Sequence, residues 1–158
     1  MNLRWTNFLT LALVGALSCG GPHLNDFEKS IPIKGGAWSY AFQPSVQFNV
    51  TDTTAAYKVY VVCRHTDRYA YKNLWVFIST RQPGDTAFRK ERFELTLQDN
   101  LGRWYGTGMD DIWAQQIPLY TNLHFSKTGT YTVVFQQDMR DDDLKGFLDV
   151  GLRVEKIP

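Results

Sequence analysis

The chain has 158 residues, with 17 Lys and Arg against 16 Asp and Glu and a formal net charge of +1. That balance excludes the basic footprint of a nucleic-acid binder and the polybasic patch of a protein held by anionic lipid. Only two cysteines are present, Cys19 and Cys63, and the position of the first decides how both are used.

The N-terminus opens with a short segment whose only charge is Arg4, followed by the apolar run FLTLALVGAL from Phe8 to Leu17. This run has the length of a secretory h-region and is too short to span a bilayer as a helix. Small residues then flank Cys19, with Gly15, Ala16 and Ser18 before it and Gly20 and Gly21 after it. A cysteine just past the small residues of a cleavage site predicts a bacterial lipoprotein. Residues 1–18 are the signal peptide, and Cys19 becomes the acylated first residue, the lipid-attachment site. One acyl chain holds a protein only marginally, whereas two or three hold it firmly, each buried methylene contributing about 0.8 kcal/mol. Loss of Arg4 with the leader takes the formal charge from +1 to zero.

Residues 19–34 (CGGPHLNDFEKSIPIK) are rich in Gly, Pro and polar side chains and read as a flexible, lipidated tether. Gly20, Gly21 and Pro22 occupy the places where acidic residues can direct surface export. The expected location is therefore the periplasmic face of the outer membrane.

From about residue 35 to residue 158 the prevailing hydrophobic period is two, which predicts an all-β domain. Val46, Phe48 and Val50 alternate with polar residues in SVQFNV. The same pattern recurs in RFELTLQ (Phe93, Leu95, Leu97), TYTVVFQQ (Tyr131, Val133, Phe135) and DVGLRVEK (Val150, Leu152, Val154). AAYKVYVVCRH and NLWVFIST are apolar on both faces and are expected as central strands. PGD at 83–85, DNLG at 99–102, KTG at 127–129 and RDDDLKG at 140–146 supply turn chemistry between them. The architecture predicted is an antiparallel β-sandwich, jelly-roll-like, over residues 35–158. The only helical candidates are short, in the tether or around GMDDIWAQQ at 108–116.

Side chains that could carry chemistry are sparse. Histidines occur at 23, 65 and 124; His65 and His124 lack neighbours at metal-ligand spacing, and no HExxH, CxxC or GxSxG is present. Asp138, Asp141, Asp142, Asp143 and Asp149 form an acidic cluster without the spacing of a calcium loop, interrupted by Arg140 and Lys145. A solvated acidic turn is the plainer reading. Cys63 shares a face with Tyr57, Val59 and Val61 and is expected as a buried core thiol. No catalytic residue, metal site or cofactor is therefore assigned, and the protein is expected not to be an enzyme. Trp38, Trp75, Trp104 and Trp113 raise the alternative of a carbohydrate-binding module of a nutrient-capture system, which would show a flat row of exposed aromatics.

DTTAAYKVYVVCRHTDRYAYKNLWVFI (52–78), LGRWYGTGMDDIW (101–113), FSKTGTYTVVFQQDMR (125–140) and LDVGLRVEK (148–156) resemble, in order, the gliding motility lipoprotein GldH family. The resemblance implies a non-enzymatic outer-membrane lipoprotein associated with the gliding apparatus and the linked type IX secretion machinery. Its implied partners are other gliding and secretion envelope proteins, with the membrane reached through the acyl chains on Cys19. No nucleic acid is expected, and a small-molecule ligand is left open. The one position carried across is Cys19. Trp104, Trp113, Asp110 and Asp111, set among Gly102, Gly106 and Gly108, point to 101–113 and 138–149 as stretches near a binding surface.

Overall fold

The computed structural model describes residues 26–158, so the leader and Cys19 lie outside the described residues. Alternation of apolar and polar side chains generates eight long strands. They are β1 (Phe27–Pro32), β3 (Ser45–Val50), β4 (Tyr57–Thr66), β5 (Asn73–Arg81), β6 (Arg89–Thr96), β8 (Ile112–Leu123), β9 (Gly129–Gln137) and β11 (Phe147–Lys156). Three short strands accompany them: β2 (Ala37–Ser39), β7 (Thr107–Met109) and β10 (Asp143–Lys145).

Pairing among the long strands follows one rule. The first pairs with the last (β1 with β11), the second with the seventh (β3 with β9), the third with the sixth (β4 with β8) and the fourth with the fifth (β5 with β6). Two further pairings, β11 with β4 and β9 with β5, close this long hairpin into two antiparallel sheets. The front sheet runs β1-β11-β4-β8-β7 and the back sheet β3-β9-β5-β6. This is the double Greek key of a jelly roll. Both apolar runs expected as central strands, β4 and β5, are flanked on each side.

The core fills the space between the sheets. Val59, Val61 and Cys63 of β4 and Val150, Leu152 and Val154 of β11 face Val46 and Phe48 of β3, Val76 and Ile78 of β5, and Val133 and Phe135 of β9. Cys63 is buried, as its alternation predicts, and burial pushes its thiol pKa up to about 12, leaving an unreactive side chain.

Strand direction divides the loops between two poles. At the near pole, where the described chain begins at Asp26, lie residues 51–56, 82–88, 124–128 and the C-terminus. At the far pole lie 33–44, 67–72, 97–111 and 138–146. An aromatic plug closes the core at each end. Phe48, Tyr57, Phe125 and Tyr131 pack at the near pole, with ring centroids 4.9–5.6 Å apart in the contacting pairs. Trp38, His65, Tyr69, Trp104 and Phe147 do so at the far pole.

Two expectations need correction. Residues 27–32 are not tether: they form β1, whose Phe27 ring packs 5.7 Å from Phe48. Their polar look arises because β1 is an edge strand, where Glu28, Lys29 and Ser30 stay exposed and Pro32 needs no ladder partner. Residues 108–116 are not helical: β7 and β8 form a hairpin across Asp110 and Asp111. Asp110 takes φ 55°, a left-handed conformation that Asp tolerates in turns, and this reverses the chain where a helix would continue.

Gly151 sets how closely the first strand lies on the last. A Cβ at this position would collide with the Lys29 carbonyl oxygen and the Ser30 Cα. Gly151→Ala is expected to lower the unfolding free energy by roughly 1–3 kcal/mol through overpacking. Denaturant titration would show this as a lower midpoint, and an unchanged midpoint would refute the tight docking of β1.

Candidate interaction surface at the far pole

The candidate surface is assembled from loops that the sequence singled out and from one it did not. The 67–72 loop joins them. Trp113 donates its indole N–H to the Asp67 carboxylate at 2.8 Å, and the Asp67 amide donates to the Asp111 carbonyl at 3.1 Å. On the other side, the Tyr71 hydroxyl donates to Asp141 at 2.7 Å, and the Thr66 amide donates to the Gly146 carbonyl at 2.7 Å. The segments 101–113 and 138–146 therefore meet at one pole through the β4–β5 connection. Asp149 does not join them, because it lies in β11 on the outer face of the front sheet. Asp67 and Tyr71 lie in the 52–78 stretch that carries the family resemblance, but the sequence did not mark them as surface residues, since each acts only through its partner across the fold.

Exposed apolar side chains concentrate here. Among the described residues the large hydrophobics left exposed are Tyr40, Phe42, Phe88, Leu101, Tyr105 and Met109. All but Phe88 belong to far-pole loops or to the tip of the β7–β8 hairpin, and Leu101 and Met109 are 79% and 74% exposed. Aromatic and Met side chains of this kind are enriched at protein contacts, whereas scattered single hydrophobics need no explanation. Clustering at one end is what distinguishes them. Phe42 stands beside Trp38, whose indole N–H donates to the Phe42 carbonyl at 2.9 Å and fixes the loop. The pole is also rimmed by carboxylates: Asp110, Asp111, Asp142 and Asp143 are exposed.

Other candidate residues disperse. His65 lies in the core at the far end of β4, while His124 is exposed at the near pole, so the two do not converge. Asp138 is held by Arg92 at 2.6 Å, Asp141 by Tyr71, and Asp149 by Arg64 at 2.5 Å. Among the described residues no three His, Cys, Asp or Glu side chains gather at metal-binding distance. Trp38 is fully buried. Trp75, Trp104 and Trp113 are half-buried, on the back sheet, in the far-pole plug and on the hairpin respectively. Among the described residues the tryptophans thus form no flat row on one sheet. Trp75 is moreover covered by Arg92, whose guanidinium sits 4.0 Å from the ring centre.

The loops rest on the far-pole plug, and His65 is its polar member. Its Nδ1 faces the Thr66 carbonyl at 3.2 Å, its Nε2 is buried without a partner, and its ring lies 4.4 Å from Trp104. Burial holds its pKa below the ordinary 6.5, so the neutral ring is the folded form. Between the two pKa values the unfolded chain binds more protons than the native one, so stability rises with pH there. Unfolding free energy is expected to be complete above about pH 6.5 and to decline below it. In His65→Leu that decline should shrink, and an identical acid profile in both proteins would remove His65 as its source.

With this geometry in place, three comparisons bear on kinship. The GldH lipoprotein family model matches residues 25–154. A gliding motility lipoprotein GldH homolog from Christiangramia forsetii is 29% identical over 112 residues, covering 66% of this chain and 68% of that protein. Gliding motility lipoprotein GldH of Flavobacterium johnsoniae is 27% identical over 164 aligned positions, covering 99% of both chains. No solved structure matches the chain. The match spans the whole jelly roll from the start of β1 to near the end of β11, and on that ground the chain belongs to the GldH lipoprotein family.

Proposed function

We propose that this protein is a lipid-anchored, non-enzymatic envelope component, an accessory part of the gliding motility machinery and of its linked type IX secretion system. Acyl chains on Cys19 hold it at the periplasmic face of the outer membrane, and the far pole docks protein partners. The observation that carries this reading is the apolar collar of Tyr40, Phe42, Leu101, Tyr105 and Met109 at the pole opposite chain entry.

Chain geometry gives the collar its sense. Seven residues, Gly20 to Asp26, separate Cys19 from β1 and span at most about 25 Å when extended. The near pole is thereby tied to the membrane side, and the far pole points to whatever lies beyond. A partner strand could also add to a sheet edge, but β8 carries Pro118 and two register shifts against β4. Features of this kind discourage edge pairing. Loop tips held by a rigid scaffold are the better contact.

The test is complementation of a strain lacking this gene. Leu101→Asp combined with Met109→Asp leaves every core residue in place and should preserve folding and membrane retention. It is expected to fail to restore colony spreading and secretion, because a charge buried in an apolar contact costs several kcal/mol. Cys19→Ala is expected to leave the membrane fraction. Full rescue by the double variant, at wild-type abundance, would end the docking reading. Retention of Cys19→Ala in the membrane would end the anchoring one.

A further inference from the structure

The two sheets part along one side of the jelly roll. There β6 ends the back sheet, and beyond Ala114 the edge of the front sheet is β8 itself. Across the gap the Tyr120 hydroxyl donates to the Glu91 carboxylate at 2.7 Å. Behind this bridge lies a narrow cavity of about 60 Å³ inside the core. Val59 and Leu152 of the front sheet face Ile78 and Val133 of the back sheet across it, with Phe48 and Phe125 of the near-pole plug. The polar groups in its lining are Thr80, Glu91 and Tyr120, and the last two already satisfy each other. All three, with Leu123 and Phe125, also line a wider hollow of about 440 Å³ that reaches Ala87 and His124 at the near pole. The cavity and the hollow thus form one path from the near-pole surface into the core.

We infer that this path receives an acyl chain carried by Cys19 of the same molecule, with the chain's end in the inner cavity. The inference rests on the anchoring reading given above. Wall chemistry is the first ground for it. Hydrocarbon walls give a water molecule no partner, and a cavity of that kind stays dry and takes apolar guests. A sugar, a peptide or an ion would shed its hydration there with nothing in return. Width is the second ground. An apolar cavity of roughly 150 Å³ holds one benzene ring, and 60 Å³ is less than half of that. The tip of an unbranched chain fits where a ring system does not, and the remainder of the chain lies in the outer hollow along Leu123 and Phe125. Reach is the third. Phe27, Val154, Val59 and Tyr120 stand opposite one another across β1, β11, β4 and β8. Three strand spacings, about 14 Å, therefore separate the start of β1 from Tyr120 at the cavity. The seven residues Gly20 to Asp26 extend to about 25 Å. Cys19 thus has the mouth of the path within its range. A chain lodged there pins the near pole against the protein's own anchor and fixes how the body stands on the leaflet.

Photocrosslinking of the intact lipoprotein tests this. Cells making the full-length protein are fed palmitic acid bearing a diazirine at its terminal carbon. The protein is purified in detergent, irradiated and digested, and its peptides are identified by mass spectrometry. The expected product joins the acylated Cys19 peptide to the cavity wall, in 117–125 of β8 and its loop or beside Ile78 or Val133. Leu123→Trp and Thr80→Phe fill the path from partly exposed positions, and circular dichroism checks that they fold. Each should lower the yield of that product by about tenfold or more, the equivalent of roughly 1.4 kcal/mol. Leu101→Asp with Met109→Asp, at the other pole, should give the wild-type yield. An acylated Cys19 peptide with no link to the body overturns this inference and leaves the anchoring reading standing. So does a wall labelled only by phospholipid, or an unchanged yield in both folded filling variants. A Cys19 peptide without any acyl mass would end both readings together.

Discussion

The fold depends on β11, the last strand of the chain, lying between the first strand and β4. It pairs with β1 through six residues on one side and with β4 on the other, so β1 has no place in the front sheet until the C-terminus is in position. Arg153 of β11 fastens the junction, reaching Asp26 across 127 residues of sequence. Its carboxylate partners raise the guanidinium pKa still further, so the charge is permanent. Lys156, also on β11, holds Asp52 at 2.7 Å at the near pole, and that contact keeps the Asp52 carboxyl well below the usual carboxylate range. Pairings this distant in sequence are entropically costly to nucleate, which places the protein among slow-folding β topologies.

Closure of the jelly roll creates the two unlike poles. The near pole is tied down by its own contacts: Ser126 donates to Gln82 at 3.1 Å, and Lys127 meets Asp85 at 2.5 Å. There the polar side chains satisfy one another. At the far pole the polar groups are spent on joining loops together, through Asp67, Tyr71 and the β2–β10 pair, while apolar side chains are left facing water. The end at which the described residues begin and the end that exposes the apolar tips are thus opposite ends of the jelly roll.

Each sheet also has an outer face with its own character. On the back sheet, Trp75 and Phe77 are covered by Arg92 and Lys90, each 4.0 Å from the ring centre, so half-buried rings are shielded by cations. On the front sheet the ions meet one another instead, Arg64 with Asp149 and Arg153 with Glu28 and Glu155. Tyr120 shows the same economy inside the open side of the sandwich. Its hydroxyl donates to Glu91 at 2.7 Å, linking β8 to β6, and burial with that carboxylate pushes its pKa up to about 12. The bridge stays intact across the physiological range.

Much of the fold was legible in the sequence because one-sided burial writes a period of two. Val46, Phe48 and Val50, or Phe93 and Leu95, announce their strands without reference to anything distant. Strand β1 was hidden because its edge position relieves it of apolar residues. The first half of β8 was hidden because Met109, Ile112, Trp113 and Gln116 fall at helical spacing, and only the reversal at Asp110 shows that they flank a turn. Of the candidate surface, 101–113 and 138–146 were legible from their glycines, tryptophans and acids, whereas the 67–72 bracket and the exposed Tyr40 and Phe42 were not. Bracketing is a relation between loops, and exposure is what remains after the core has chosen its members. Local alternation and turn chemistry determined most of the strands, β1 and the start of β8 excepted, and which face of each is apolar. Only the tertiary structure decided strand order, the matching of buried His65 with Trp104, and the gathering of apolar tips at one pole. Those depend on which segments meet across tens to more than a hundred residues, and side-chain periodicity carries no information about that.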